Sequence, residues 1–494
     1  MVMLAAKFVL AASIALPLAA QSVSTQSVSA QSVPDDMAAH ATAARAAEQR
    51  GDFSTAAHEY EFLVQKLPRS AEMQSNLGVA LYFDHQWERA IAAFRKANAL
   101  NPNLLAPHLF GGLAWYQLSR PDAAVPELET AVRLRSSDVI AHTWLGYAYV
   151  AESKYDAAAK QFEEVCRLAP DNIDAWYALG QAYLQIGKDS TVELLRAAPN
   201  GGRAWQLAGE QYALRGDRKK ALDDFEQANA RRPDIAELRT AVTELGGTPS
   251  PAAPPPGAEA AREDAIYARA HAAEEKSRAA FERVLSIAPD SYRAHQIMAD
   301  AFVLEQQEDK AIVEYRIVLN LKPDLPGIHE AIGSSLLRSG KSAEALTEFQ
   351  AELQLQPRSA AVNTLLGQTL LLLGKDDDAE KVLKDALLMD RPPPDAYRLL
   401  GKLDLRRNDY RAAVDHLSHY LSIEKNDATA YYLLSRAYRG LGEKEQMNQA
   451  LAQFEKVSQD VKARSHAQGE LERLDNQNHV DEGMVRDNPA STSP

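Results

Sequence analysis

A single cysteine, Cys166, in 494 residues excludes an internal disulfide and a thiolate metal centre. Positive charge is also short: 54 Lys and Arg face 68 Asp and Glu, giving a net charge of −14. That balance argues against nucleic-acid binding as the main task. Alternating strand-like runs are absent, so a β-rich fold is not expected. Catalytic signatures are missing too: there is no His-Glu-x-x-His, no Gly-x-Ser-x-Gly, and no Gly-x-Gly-x-x-Gly after a strand. Gly340-Lys341-Ser342 looks like the end of a phosphate-binding loop, but Ser335 stands where that loop needs glycine. It reads as a hairpin turn. No cofactor is implied. Long apolar runs are limited to Phe8 to Ala20, too short to span a bilayer.

What the chain has is a beat. Prolines at 68 and 102 stand 34 residues apart, as do those at 289, 323 and 357. About twelve units laid out on this period align a column of small residues, Ala44, Gly78, Gly112, Gly146, Gly180, Gly209, Ala265, Ala299, Gly333, Gly367, Gly401 and Ser435. A second small column follows (Ala56, Ala90, Ala124, Ala158, Ala221, Ala311, Ala345, Ala379, Ala413), with Ser277 and Met447 as departures. One helical turn later comes a bulky column that includes Tyr60, Phe94, Leu128, Phe162, Phe225, Phe281, Phe349, Leu383 and Leu417. Small residues let two helix backbones approach, and the bulky residue is expected to fill the gap between neighbouring units. Each unit is therefore a helical hairpin. Gly51, Gly187, Gly216, Gly340, Gly374, Gly442 and Asn408 occupy the slot where the chain must turn. Prolines end the second helix, and the Asn or Asp after Pro102, Pro170, Pro233, Pro289 and Pro323 is a candidate N-cap.

The pattern resembles the tetratricopeptide repeat, a 34-residue helix-turn-helix module. The match is best at Trp176, Leu179, Gly180 and Tyr183, and at Trp205, Gly209, Tyr212, Ala221, Phe225, Ala228 and Pro233. It runs over roughly residues 37 to 457. The resemblance implies an all-α fold: a right-handed superhelical solenoid of antiparallel helix hairpins whose job is to bind other molecules.

Two interruptions predict how the solenoid is divided. Gly246 to Gly257 is Pro-rich and cannot be helical, so it is expected to separate a first array (37–245) from a second (258–457). Near Thr191 to Ala198 the spacing shortens, which predicts a short second helix before the loop at Pro199 to Gly202. Ala258 to Ile287 lacks a turn glycine and is either a hairpin or one long helix.

The ends lie outside the repeats. Lys7 followed by Phe8 to Ala20 reads as a signal peptide, residues 1–20, with cleavage after Ala20 or as late as Ala30. Residues 21–36 are expected to be a disordered linker and 458–494 a helical extension with a polar tail. The mature chain is then exported, to the periplasm or beyond the cell, without a stable membrane span.

Candidate site residues come from the resemblance, in which first-helix side chains line the concave groove. In the first array these slots hold Leu109, Leu113, Tyr116, Ile140, Thr143, Tyr147, Val150, Tyr177, Gln181 and Leu184, a tyrosine-rich apolar trough. In the last two units they hold Arg398, Lys402, Tyr432, Arg436 and Arg439, a cationic end on an acidic protein. Some family members clamp terminal carboxylates with Lys, Asn and Arg in such slots. The asparagines are missing here, so only an anionic ligand is implied. The expected partner is a protein or peptide, and oligomeric state is open. The reading is a non-catalytic exported scaffold; the alternative is a recognition subunit or adaptor of a separate enzyme or of an envelope export or assembly complex. His416 and His419 read as solvated, Cys166 as a small buried hydrophobe, and His108, His142, His295 and His329 as one packing column.

Overall fold

The computed structural model describes residues 35–464 apart from 215, 255–256 and 390–391. The expected signal peptide, most of the linker after it and the end of the polar tail lie outside the described residues. Among the described residues there are twenty-three helices and no strand.

The hairpins form where local signals demand them. Ser70, Asp138, Ser291, Ser359 and Asp427 each accept a backbone N–H in the first turn of a helix they precede. The Asn or Asp after proline is not that cap: in Pro170-Asp171 and Pro289-Asp290 the capping side chain belongs to the next residue, Asn172 or Ser291. Proline and the residue after it complete the loop, and the cap comes after them. Between the helices of a pair, Gly51, Gly216, Gly340, Gly374 and Gly442 have φ from +71° to +77°, and Asn408 has +61°. His85, Ser119, Ser153 and Gln306 hold the same slot at φ near +60° without glycine, against the preference of L-residues.

Packing inside each hairpin explains the columns. A Cβ on Gly78 would meet the Phe94 ring at 2.4 Å, one on Gly112 the Leu128 side chain at 2.5 Å, and one on Gly146 the Phe162 ring at 2.6 Å. The pairs Gly209–Phe225, Gly333–Phe349, Gly367–Leu383 and Gly401–Leu417 repeat this contact. The bulky residue therefore rests on the glycine of its own unit, not in a gap between units as the spacing alone implied.

Gly187 departs from the turn slot. It sits inside one continuous helix, Ile173–Ala197, and the short second helix expected near Thr191 is the continuation of the first. The helix does not break there because its far end is buried: Leu194 packs with Leu207, Ile266 and Tyr267, and Leu195 with Ala204. Residues 257–287 likewise form one helix, Gly257–Ile287, in place of a hairpin.

These two long helices alter the division of the chain. One compact unit comprises residues 35–185 with 276–288, and the other 186–275 with 289–464; the spacing had placed a single boundary at 246–257. Within the first unit the repeat that begins at Ile173 is completed by residues 276–287. A Cβ on Gly180 would lie 2.5 Å from the Phe281 ring, and Ser277 Oγ donates to Gly180 O at 2.8 Å. Ser277 and Phe281 do hold the second small and the bulky column, but for the glycine at 180, not for Ala265. The repeat is split, and residues 186–275 are inserted between its two halves. Within the second unit the insertion contains a pair, Gly202–Leu214 and Arg218–Arg231, followed by a single helix, Ala236–Glu244. That helix buries Leu238 and Val242 against Ala221, Phe225 and Ala228.

Two helix starts without a capping side chain of their own borrow a carboxylate. Glu352, fully buried, accepts from Gly327 N at 2.8 Å and Glu330 N at 3.3 Å at the start of Ile328–Arg338. Glu263 accepts from the Arg203 backbone at the start of Gly202–Leu214.

The split repeat makes a direct prediction. Phe281 is half-buried, so Phe281→Ala should destabilise the first unit by about 1–3 kcal/mol, less than the truncation of a fully buried ring. Gly180→Leu, which overpacks the same contact, should cost about 1–3 kcal/mol. Hydrogen exchange in both variants should lose protection in residues 173–185; unchanged protection there would refute the split repeat.

Candidate partner-binding surface

The first helices of the early repeats do not offer the open tyrosine trough that the slots implied. Leu109, Leu113, Tyr116, Tyr147, Val150 and Tyr177 are all buried, Leu113 completely. The rings form an edge-to-face chain within the first unit: Tyr116 on Trp144 at 5.3 Å, Trp144 on Tyr147 at 5.9 Å, and Tyr147 on Phe162 at 5.2 Å. Tyr177 meets Phe281 at 5.9 Å. Rings of this size are worth more buried against the next repeat than exposed, so the slot lines the core. Thr143 Oγ1 donates to Val139 O at 2.7 Å, and Gln181 Nε2 to the Tyr177 hydroxyl at 2.9 Å. Both are half-buried, as are Ile140 and Leu184.

The cationic end separates into two parts. Arg398 is buried; its Nε and Nη2 donate to Asp395 Oδ1 at 3.0 and 2.9 Å, and its guanidinium lies 5.8 Å from the Tyr420 ring. It is neutralised by its own helix and is not a ligand-binding arginine. Lys402 is half-buried on the same helix, Pro394–Arg406. Tyr432, Arg436 and Arg439 are exposed and share one face of Ala428–Leu441, spaced at four and three residues. The Tyr432 ring is supported by Phe454 at 5.9 Å. Of the slots read from the sequence, these three make one accessible surface: a supported aromatic ring beside two guanidinium groups.

The histidine column has a purpose that spacing did not reveal. In each case Nδ1 meets an acceptor on the paired helix, nineteen residues later: His108 with Glu127 at 2.6 Å, His142 with Gln161 at 2.7 Å, His295 with Glu314 at 2.7 Å and His329 with Glu348 at 2.6 Å. His40 pairs with Glu59 in the same way. His108 Nε2 also meets Pro102 O, and His142 Nε2 meets Ser136 O, both at 3.0 Å. Trp176, in the same column, makes that second bond with Nε1 to Pro170 O at 2.8 Å. A carboxylate on one side of His108 and a carbonyl on the other favour a proton on both ring nitrogens. Its pKa is accordingly raised, first by the Glu127 hydrogen bond and against the cost of burial. The signal was in the sequence as histidine with Glu or Gln nineteen residues on.

His416 and His419 are engaged as well, not merely solvated: His416 Nδ1 meets Asp404 Oδ2 at 2.7 Å, and the exposed His419 ring lies 4.0 Å from Tyr397. Cys166 is buried and its thiol is pushed up to about 12 by burial, as expected of a core residue. Gly340 is the left-handed residue of a hairpin turn, so the Gly340-Lys341-Ser342 match is structural. Among the described residues no helix is long and apolar enough to cross a membrane, and no three His, Cys, Asp or Glu are grouped to hold a metal.

Family models agree with the repeat architecture. Family models described as tetratricopeptide repeat match residues 42–104 and 336–403, and one described as TPR repeat matches 146–187. The chain is a tetratricopeptide-repeat protein. Among solved structures it is similar to the TPR protein TTC0263 of Thermus thermophilus, at 16% identity over 54% of this chain and 100% of that one, TM-score 0.34. It is also similar to MamA residues 41 to the end from Desulfovibrio magneticus RS-1, at 18% identity over 42% and 99%, TM-score 0.30. A chain of the APC/C hetero-tetramer Cut9–Hcn1 is similar at 15% identity over 87% of this chain and 95% of that one, TM-score 0.34. No match was found among curated proteins.

The His108 pair sets a pH dependence. Because its folded pKa is raised, its stabilisation is fully present below the unfolded value of about 6.5 and is lost as pH rises through the folded value. Denaturant unfolding at pH 5.5 and 8.5 should show the wild type losing up to about 1 kcal/mol relative to Glu127→Gln, since the pair is partly solvated. A stability gap that does not change with pH would show that the ring is neutral.

Proposed function

We propose that the protein is a non-catalytic, exported scaffold that binds a protein or peptide carrying an acidic or carboxylate group. The observation behind this is the exposed stripe Tyr432, Arg436 and Arg439 on Ala428–Leu441. Arginine recognises carboxylates in bidentate fashion, and a ring beside it supplies apolar contact to the rest of a peptide. Helical repeats fit such a task because stacked hairpins present long surfaces while each contacts only its neighbours. Arg398, tied to Asp395, is left out of the contact set, which is smaller than the slots implied. The same surface serves an adaptor for a separate enzyme or an envelope assembly complex, and the partner's identity separates the two.

The mature protein, immobilised and exposed to an extract of its source, should retain a partner that elutes with salt, because exposed ion pairs are screened. Arg436→Glu with Arg439→Glu should lower that recovery at least about tenfold while circular dichroism is unchanged, a loss of roughly 1.4 kcal/mol or more. Equal recovery by the double variant would sink the assignment of this stripe. Export is tested separately: the protein recovered outside the cytoplasm should begin at Gln21 or Gln31, and an intact Met1 would rule out cleavage.

A further inference from the structure

The split repeat creates a seat that a second copy of this chain can fill. Within the first unit, the seat consists of Gly180, Tyr177, Tyr183 and Glu163. Its occupant, residues 276–287, places the Phe281 ring over Gly180 and donates from Ser277 Oγ to Gly180 O at 2.8 Å. Lys276 Nζ reaches the Tyr183 hydroxyl at 3.0 Å and Glu163 Oε1 at 3.9 Å. In the repeats around it the glycine and its bulky partner are joined by a tight turn of a few residues, so only the same chain can complete the hairpin. Here the connection is 97 residues from Gly180 to Ser277, and none of the contacts depends on it.

The route between seat and occupant contains a hinge. Residues 247–254 adopt no regular secondary structure, include Pro249, Pro251 and Pro254, and are exposed from 251 to 254. The stretch is held at Ser250, whose N–H donates to Asn229 Oδ1 at 2.6 Å. A proline-rich stretch of this kind is extended and stiff, covering about 3 Å per residue.

We infer that the protein forms a reciprocal dimer in which residues 276–287 of each chain complete the split repeat of the other, with the Pro-rich stretch as the hinge. The exchange conserves every contact named above, because the partner presents the same atoms. It conserves those made by the first half of the same helix too. Within the second unit, Asp264 bonds Arg203 at 2.5 Å and Arg232 at 2.8 Å, and the Tyr267 hydroxyl donates to Glu210 at 2.5 Å. With contacts equal, monomer and dimer differ chiefly in chain entropy, the condition under which swapping an identical element is inexpensive. Closure within one chain is favoured by an effective concentration in the millimolar range for a short flexible linker, and stiffness reduces that advantage.

The test uses two full-length variants, Glu163→Cys and Lys276→Cys, and a short bis-maleimide. Cys166 is buried with its thiol held up to about 12, so the wild type should not react. Each variant is unfolded, the two are mixed in equal amounts and refolded at about 1 µM and about 200 µM, and cross-linked after refolding. The dimer predicts a covalent species holding one chain of each kind, increasing at least about fivefold with concentration, and a light-scattering mass twice that of one chain. Eight Gly-Ser residues inserted after Ala252 should lower its yield by easing closure within a chain. A chain with both substitutions reports whether the reagent spans the seat: cross-linking there within one chain, with none between chains at either concentration, overturns the proposal. So does a dimer by light scattering that never cross-links between these positions, or a double variant that fails to cross-link at all.

Discussion

The Phe162 ring packs on the backbone of Gly146, where no side chain could stand, and the rest of the molecule depends on that arrangement repeated. Two helices can approach this closely only if one contributes no side chain at the crossing and the other fills the space with a ring or an isobutyl group. Each hairpin is thereby sealed on its own, and its remaining apolar faces are left for its neighbours. Where the small residue has a Cβ, as in Ala44, Ala299 and Ser435, the site is still buried, so the column tolerates a methyl or hydroxyl but not a branch.

The same constraint accounts for the largest irregularity. Gly180 needs a bulky partner as its counterparts do, but sixteen residues on the chain presents Arg196, which cannot be buried there without a partner. The helix runs on past Gly187, and the contact is made by Phe281 instead. An insertion of helices becomes possible inside a repeat because the seal is a local contact between two faces and is indifferent to how the chain arrives.

Polar groups fill what the apolar columns leave open. The histidine column ties the first helix of a hairpin to the second through Glu or Gln, and at His108 the acceptors on both sides favour the charged ring. Glu263 and Glu352 satisfy helix starts that begin after glycine. Arg398 shows the limit of reading a groove from slots: the position is on the expected helix, but Asp395 three residues earlier neutralises it and Tyr420 covers it. The tyrosines at 116, 147 and 177 fail as an open trough for a related reason, since large rings between stacked helices gain more from one another than from water.

Helical hairpins, their period, the small and bulky columns and the turn slots were legible in the sequence, because each rests on residues within one unit. So were Tyr432, Arg436 and Arg439 as neighbours, since spacings of four and three place side chains on one helix face whatever surrounds them. Only the tertiary structure decided that Gly187 is helical, that residues 276–287 belong to the repeat begun at Ile173, and that Arg398 is buried while Arg436 is exposed. Those outcomes depend on which faces meet across long stretches of chain, and a period counts residues without recording what each side chain touches.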